Sequence, residues 1–170
     1  MLHYTYTYAG RGSAVVFVSP TKGAATFQGM FDDIIAYIKE APDASYKLII
    51  GTDSHTREEI CIVTAIIIHR IGKGARYYYC RNRERKMPSL RQRIFHETAQ
   101  SLSIASRLAE KLAHNGHHQL NVEIHLDVGQ NGQTRDLIKE IVGMVVGSGF
   151  DAKIKPYSFG ASKVADKHSK

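Results

Sequence analysis

The sequence predicts one α/β domain built on a mixed five-stranded sheet, preceded by an N-terminal hairpin and helix. Three observations carry this. After Glu40 the apolar pattern switches between periods of two and 3.6 in the order β-β-β-α-β-α-β-α. Leu48, Ile49 and Ile50 are consecutive and apolar, as in a strand buried on both faces. The chain has 170 residues, the length of a single domain with a sizeable core.

The elements follow in order. From Leu2 to Val18, Tyr4, Thr5, Tyr6, Thr7 and Tyr8 alternate, AGRGS interrupts, and AVVFV resumes, which reads as a hairpin. Residues 1–26 are therefore taken as an extension of the domain. Phe27 to Glu40 is a helix, with Met30, Ile34, Ile35 and Ile38 at helical spacing, Thr26 as N-cap and Pro42 just past its end. Tyr46 to Thr52 is a buried strand that ends at Asp53. After the polar turn SHTREE come the strand Ile60 to Arg70, the turn IGKGA and the strand ARYYYCRN, a three-stranded antiparallel meander. Cys61 would lie opposite residues well beyond Cys80, so no disulfide is expected between them. Ser89 caps a helix running to His114, with Leu90, Ile94, Ser101, Ile104, Ala105, Leu108 and Leu112 on one face and Glu97 in the middle of it. Leu120 to Val128 is a strand, GQNG leads into a helix from about Gln133 to Val146, and GSG closes it. A short strand over Ala152 to Tyr157 and a helix from Ala161 complete the chain.

A hydrophobic fraction of 43% and a charged fraction of 23% exclude a collagenous, disordered or disulfide-scaffold chain. No apolar run approaches the ~18 residues of a membrane span, so no membrane partner is expected. LHYTYTYAGRG carries no apolar signal core, and the two cysteines suit a reducing compartment, so a cytoplasmic location is expected. The formal net charge is +7, and residues 70–93 carry nine basic side chains against the single acid Glu84. That block reads as a footprint for a polyanion, with Arg76, Arg81, Arg83, Arg85, Lys86, Arg91 and Arg93 as candidate phosphate contacts. Its alternative is a solvated loop that aids solubility. Tyr77, Tyr78 and Tyr79, flanked by Arg76 and Arg81, offer rings for base stacking, although alternation turns at least one of them to the core.

Four carboxylates stand out. Asp53 and Asp127 lie at the ends of two core strands, where open α/β sheets bind ligands. If those strands are neighbours, one metal ion could join the two side chains. Glu97 sits on the core-facing stripe of its helix and needs a partner, because an isolated buried carboxylate is unfavourable. Asp166 is the fourth, on the last helix. Each also has a plainer reading. Asp53 and Asp127 could be turn residues, Glu97 could pair with Arg93, and Asp166 could pair with Lys163 or Lys167.

The segments IIGTDSH, HLDVGQNGQTRDLIKEIVGMV and ASKVADKHSK together resemble the YkuK-type ribonuclease H-like family of bacterial proteins, over roughly residues 27–170. The resemblance implies a ribonuclease H-like fold in which the first and fourth core strands are neighbours. It also implies a divalent-metal-dependent nuclease acting on RNA, an RNA–DNA hybrid or branched DNA. Asp53, Glu97, Asp127 and Asp166 would hold Mg²⁺ or Mn²⁺, for which hard oxygen donors are suited. His55 and His168, two residues after Asp53 and Asp166, would be proton carriers. The same fold also hosts non-catalytic nucleic-acid-binding modules and structural or regulatory proteins, for which the basic block would be an interaction surface.

Overall fold

A computed structural model describes residues 15–169, with the side chains of Phe159, Ser162, Lys163, Asp166 and Ser169 outside the described set. The Tyr/Thr-rich strand expected before residue 15 lies outside the described residues. The chain begins with β1 (Phe17–Ser19), β2 (Gly23–Ala25) and α1 (Phe27–Glu40). Three long strands follow, β3 (Tyr46–Thr56), β4 (Ile60–Arg70) and β5 (Gly74–Glu84). Then come α2 (Leu90–His114), β6 (Asn121–His125), a 3-10 turn over Arg135–Leu137, α3 (Ile138–Gly147), β7 (Asp151–Lys153) and α4 (Phe159–Ser169).

Among the described residues these strands form one sheet in the order β2-β1-β5-β4-β3-β6-β7. The five expected strands are the β5-β4-β3-β6-β7 portion, with the antiparallel meander on one side and β3 parallel to β6. The sheet is wider than expected because β1 pairs with β2 and, through Val18 and Tyr79, with β5. The sequence of β2, GAA, has neither alternation nor a β-branched residue, so it carries no strand signal.

The two faces of the sheet are covered unequally. Leu48, Ile50, Ile66, Ile68 and Ile124 are fully buried in the main core under α1, α2 and α3. On the other face Ile49 and Ile67 pack against Ala161, and Val63 and Ala65 pack against Ala165, both alanines belonging to α4. The helix caps are as expected. Thr26 accepts from the Gly29 amide at 3.0 Å and Ser89 from the Gln92 amide at 3.1 Å. Cys61 faces Arg83 and Cys80 faces Thr64 across the meander, and both thiols are free.

Close approach of α4 depends on Gly51. A Cβ there would stand 2.6 Å from the Ala161 Cβ and 3.2 Å from the His125 carbonyl. Gly51→Ala should therefore push α4 off the sheet and destabilise the fold by about 1–3 kcal/mol. Urea denaturation of the two proteins measures this, and equal midpoints would contradict it.

Several boundaries differ from expectation. The strand expected over Ala152 to Tyr157 is β7 and ends at Lys153. β3 does not stop at Asp53 but runs to Thr56, because antiparallel pairing with β4 continues to Thr56 and Ile60. β6 ends at His125, two residues short of Asp127. GQNG does not open directly into an α-helix: the Gly129 amide donates to Thr134 Oγ1 at 3.1 Å, Gly132 adopts φ +93°, and a 3-10 turn precedes α3. The loop is thus closed on itself instead of presenting a free helix N-terminus to a phosphate.

Candidate active site

The parallel pairing of β3 with β6 ends at Gly51 and His125. Two residues further along each chain stand Asp53, still within β3, and Asp127, past the end of β6, so both carboxylates lie at the same end of the sheet. Alternation puts Asp53 on the α4 face, with Ile49 and Gly51. The intervening residues of β3 face α2. Thr52 Oγ1 lies 2.7 Å from Ser101 Oγ and 2.9 Å from Thr64 Oγ1, and the Ser54 hydroxyl donates to Glu97 Oε1. The buried stripe of α2 thus turns polar where it crosses the end of β3: Glu97 and Ser101 have matching hydroxyls on the strand, while the Thr98 hydroxyl donates to the Ile94 carbonyl of its own helix.

Glu97 is 6% exposed. Burial first, then the charges of Asp53 and Asp127, pushes its pKa up to about 8, against the opposing pull of the Ser54 hydrogen bond and Arg93. The Arg93 partner considered from the sequence is present but marginal. Its Nε is 4.0 Å from Glu97 Oε1, while its Nη1 donates to Thr56 Oγ1 at 3.3 Å. Asp127 Oδ1 contacts Lys155 Nζ at 2.6 Å. Among the described residues no three His, Cys, Asp or Glu side chains stand close enough to hold a metal ion together. Glu97 and Asp127 feel one another electrostatically, yet each is held by its own partner, Ser54 for one and Lys155 for the other. A cavity of about 10 Å³, roughly one water in size, lies between Thr52, Glu97, Ser101 and Asp127. The donors here are carboxylate and hydroxyl oxygens, and a buried glutamate short of positive charge lies among them. That chemistry fits Mg²⁺ or Mn²⁺ and not zinc.

The register also links this end of the sheet to the basic block. Asp53 pairs with Val63, and Val63 pairs with Arg81; His55 pairs with Cys61, and Cys61 with Arg83. Arg81 and Arg83 therefore stand on the same face as Asp53 and His55, two strand spacings or roughly 10 Å away. Arg85 and Lys86 follow, exposed, beyond the end of β5.

A model of a family described as ribonuclease H-like matches residues 29–170. The chain belongs to the ribonuclease H-like family. This ribonuclease H-like protein is 35% identical over 168 residues to the uncharacterized protein YkuK of Bacillus subtilis (strain 168), an alignment covering 91% of this chain and 97% of that one. No solved structure matches it. Among the described residues no helix is long and apolar enough to cross a membrane.

The remaining candidates of this ribonuclease H-like protein divide into those near the carboxylates and those elsewhere. Asp166 follows Ala165 on α4, and Ala165 packs with Val63, the cross-strand neighbour of Asp53. Its side chain lies outside the described residues. His55 is half-buried on the Asp53 face. His168 does not join the carboxylates. It stacks on Tyr79 with centroids 3.8 Å apart and its Nε2 is 3.3 Å from the Tyr77 hydroxyl, over β5, with β4 between it and β3. Burial, then Arg81 and Lys167, lowers its pKa, so it is held as a neutral ring that anchors α4.

Arg76 also falls away from the site. It pairs with Glu40 at 3.1 Å and Asp33 at 3.5 Å, lies over the Tyr37 ring, and shares a rung with Ile68 and Leu48 near the opposite end of β3. Arg91 is engaged by Glu140 through contacts of 2.6 and 3.1 Å and ties α2 to α3. The rings of Tyr78 and Tyr79 are buried, which leaves half-buried Tyr77 against His168. His125 is buried too, with Nε2 turned to Glu123 at 3.1 Å and Glu123 in turn 3.6 Å from Lys47. Sequence reasoning missed Ser54 and Lys155. Ser54 had a signal, since alternation from Leu48 and Ile50 predicts that it faces the same helix as Glu97. Lys155 had none, because it enters from a loop after β7.

Proposed function

We propose that this ribonuclease H-like protein is a divalent-metal-dependent nuclease that hydrolyses phosphodiester bonds in RNA, an RNA–DNA hybrid or branched DNA. The observation that carries the reading is the shared rung of Asp53, Val63 and Arg81. It aligns Asp53, one of the candidate cation ligands, with a basic row suited to phosphates, on one face of one sheet. Asp53, Glu97, Asp127 and Asp166 would hold Mg²⁺ or Mn²⁺, which when bound supplies charge stabilisation at the phosphoryl oxygens and a more acidic water. Arg81, Arg83, Arg85, Lys86 and Arg93 would grip the backbone of the substrate and fix its register. Glu97, whose proton affinity is raised to near neutrality, would hold or release a proton at its carboxylate as the charge beside it changes. His55, on the Asp53 face, would move a proton to or from the reacting oxygen.

One observation favours a second reading. The separation of the described carboxylates suits a nucleic-acid-binding module that does not cleave. A cleavage assay separates the two. Single-stranded, hybrid and branched substrates are incubated with Mg²⁺, Mn²⁺ or EDTA. Cleavage is expected with either cation, is lost in EDTA, and is reduced at least about 10²–10³-fold in Asp53→Asn. Binding of these substrates with no cleavage under any condition would favour the module.

A further inference from the structure

The contact between Lys155 and Asp127 is not used by the proposed reaction, yet the fold builds it with care. Lys155 Nζ reaches Asp127 Oδ1 at 2.6 Å. The backbone beneath it is tethered, because the Lys155 amide donates to the Val128 carbonyl at 2.9 Å, just as the Leu126 amide donates to Lys153. The stem lies along Gly129, where a Cβ would stand 3.1 Å from the Lys155 Cβ and 3.5 Å from its Cδ. A side chain at position 129 would displace that stem, so the first glycine of GQNG makes room for the lysine. The result is a positive charge delivered to one member of an acidic group by a tether that passes directly over the loop carrying it.

We propose that Lys155 is an internal counterion of Asp127, and that a divalent cation must displace it to bind. The inference rests on the reading of Asp127 as a cation ligand. An ammonium at 2.6 Å takes one of the lone-pair directions through which Asp127 could bind a metal ion, and two cations on one carboxylate repel each other. Lysine suits this role better than arginine. Its charge is compact, it contacts one oxygen without bidentate locking, and its flexible stem can swing aside. The counterion relieves the repulsion among Asp53, Glu97 and Asp127 and lowers the affinity for the cation by the same interaction. The freed ammonium stays within reach of the site, where a phosphate can take it up.

Mn²⁺ binding to the full chain, followed by loss of the free-ion electron paramagnetic resonance signal, tests this. Lys155→Met keeps an aliphatic stem against Gly129 and removes the charge; Lys155→Gln removes the charge with a second side chain. Both variants should bind Mn²⁺ roughly twofold to fivefold more tightly than the native chain, the range of a partly exposed ion pair. Lys155→Arg should not. Native protein that binds Mn²⁺ while both neutral variants bind it equally or more weakly would overturn the counterion and leave the cation site standing. Binding by the neutral variants alone supports both. No binding by any of the proteins would overturn the cation site and the counterion together.

Discussion

Glu97→Gln is expected to make the protein more stable in alkaline solution while abolishing hydrolysis. Burial raises the folded-state pKa of Glu97 from the ordinary 4.5 to about 8. Between those values the folded protein holds a proton that the unfolded chain has released. Stability from this group is therefore full below about pH 4.5 and is lost as pH rises through about 8. Glutamine keeps the shape and can still accept the Ser54 hydroxyl, but it never ionises. In EDTA the variant should match the native chain near pH 5 and exceed it by about 2–4 kcal/mol near pH 9. Its metal-dependent cleavage should fall at least about 10²–10³-fold. Urea denaturation at three pH values gives the first result, and parallel pH dependences would show that Glu97 does not titrate as its surroundings dictate.

Replacing Arg81, Arg83, Arg85 and Lys86 together by Ala should weaken nucleic-acid binding by roughly 10²–10³-fold near 0.1 M salt. It should also lower the salt slope by about 3, since each lost phosphate contact removes roughly 0.7–0.9. Arg76→Ala is the internal control. Arg76 belongs to the same stretch of sequence, but its guanidinium is committed to Asp33, Glu40 and the Tyr37 ring. Its loss should destabilise the α1–β5 packing by about 1 kcal/mol and leave the salt slope alone. Salt-dependent fluorescence anisotropy on one labelled oligonucleotide measures both variants. Equal slopes for the quadruple variant and the native chain would reduce the block to a solubility feature.

The contrast between Arg76 and Arg81 shows what charge counting can read. Net charge over residues 70–93 marks a basic segment, but it cannot say which of its side chains find carboxylates on other elements. Asp33 and Glu40 come from α1, far away in sequence, and pairing with them is a tertiary event. The strands that lead to Asp53 and Asp127 were legible because apolar runs and alternation are local signals. Their exact ends were not. β3 persists past Asp53 only because β4 continues to offer it hydrogen bonds. The short strand β2 was invisible for the same reason, as GAA is held by its neighbour and not by propensity. Glu97 was legible as a polar residue on an apolar helix face. The hydroxyls that receive it were hidden until α2 was laid across β3, and Lys155 entered the site through a loop whose path no periodicity encodes.

Thermal melting with and without a divalent cation tests the central claim most directly, since it asks whether Asp53, Glu97 and Asp127 share an ion without depending on any substrate. Native protein, Asp53→Asn and Asp127→Asn are melted in EDTA and in Mn²⁺ at matched ionic strength. A cation tenfold above its dissociation constant adds about 1.4 kcal/mol to a folded state that alone binds it. In a domain of this size that raises the native melting temperature by roughly 3–5 °C. The native chain should show that rise, and the two asparagine variants should show little or none. The same rise in all three proteins would place the cation elsewhere and contradict the assignment of these carboxylates.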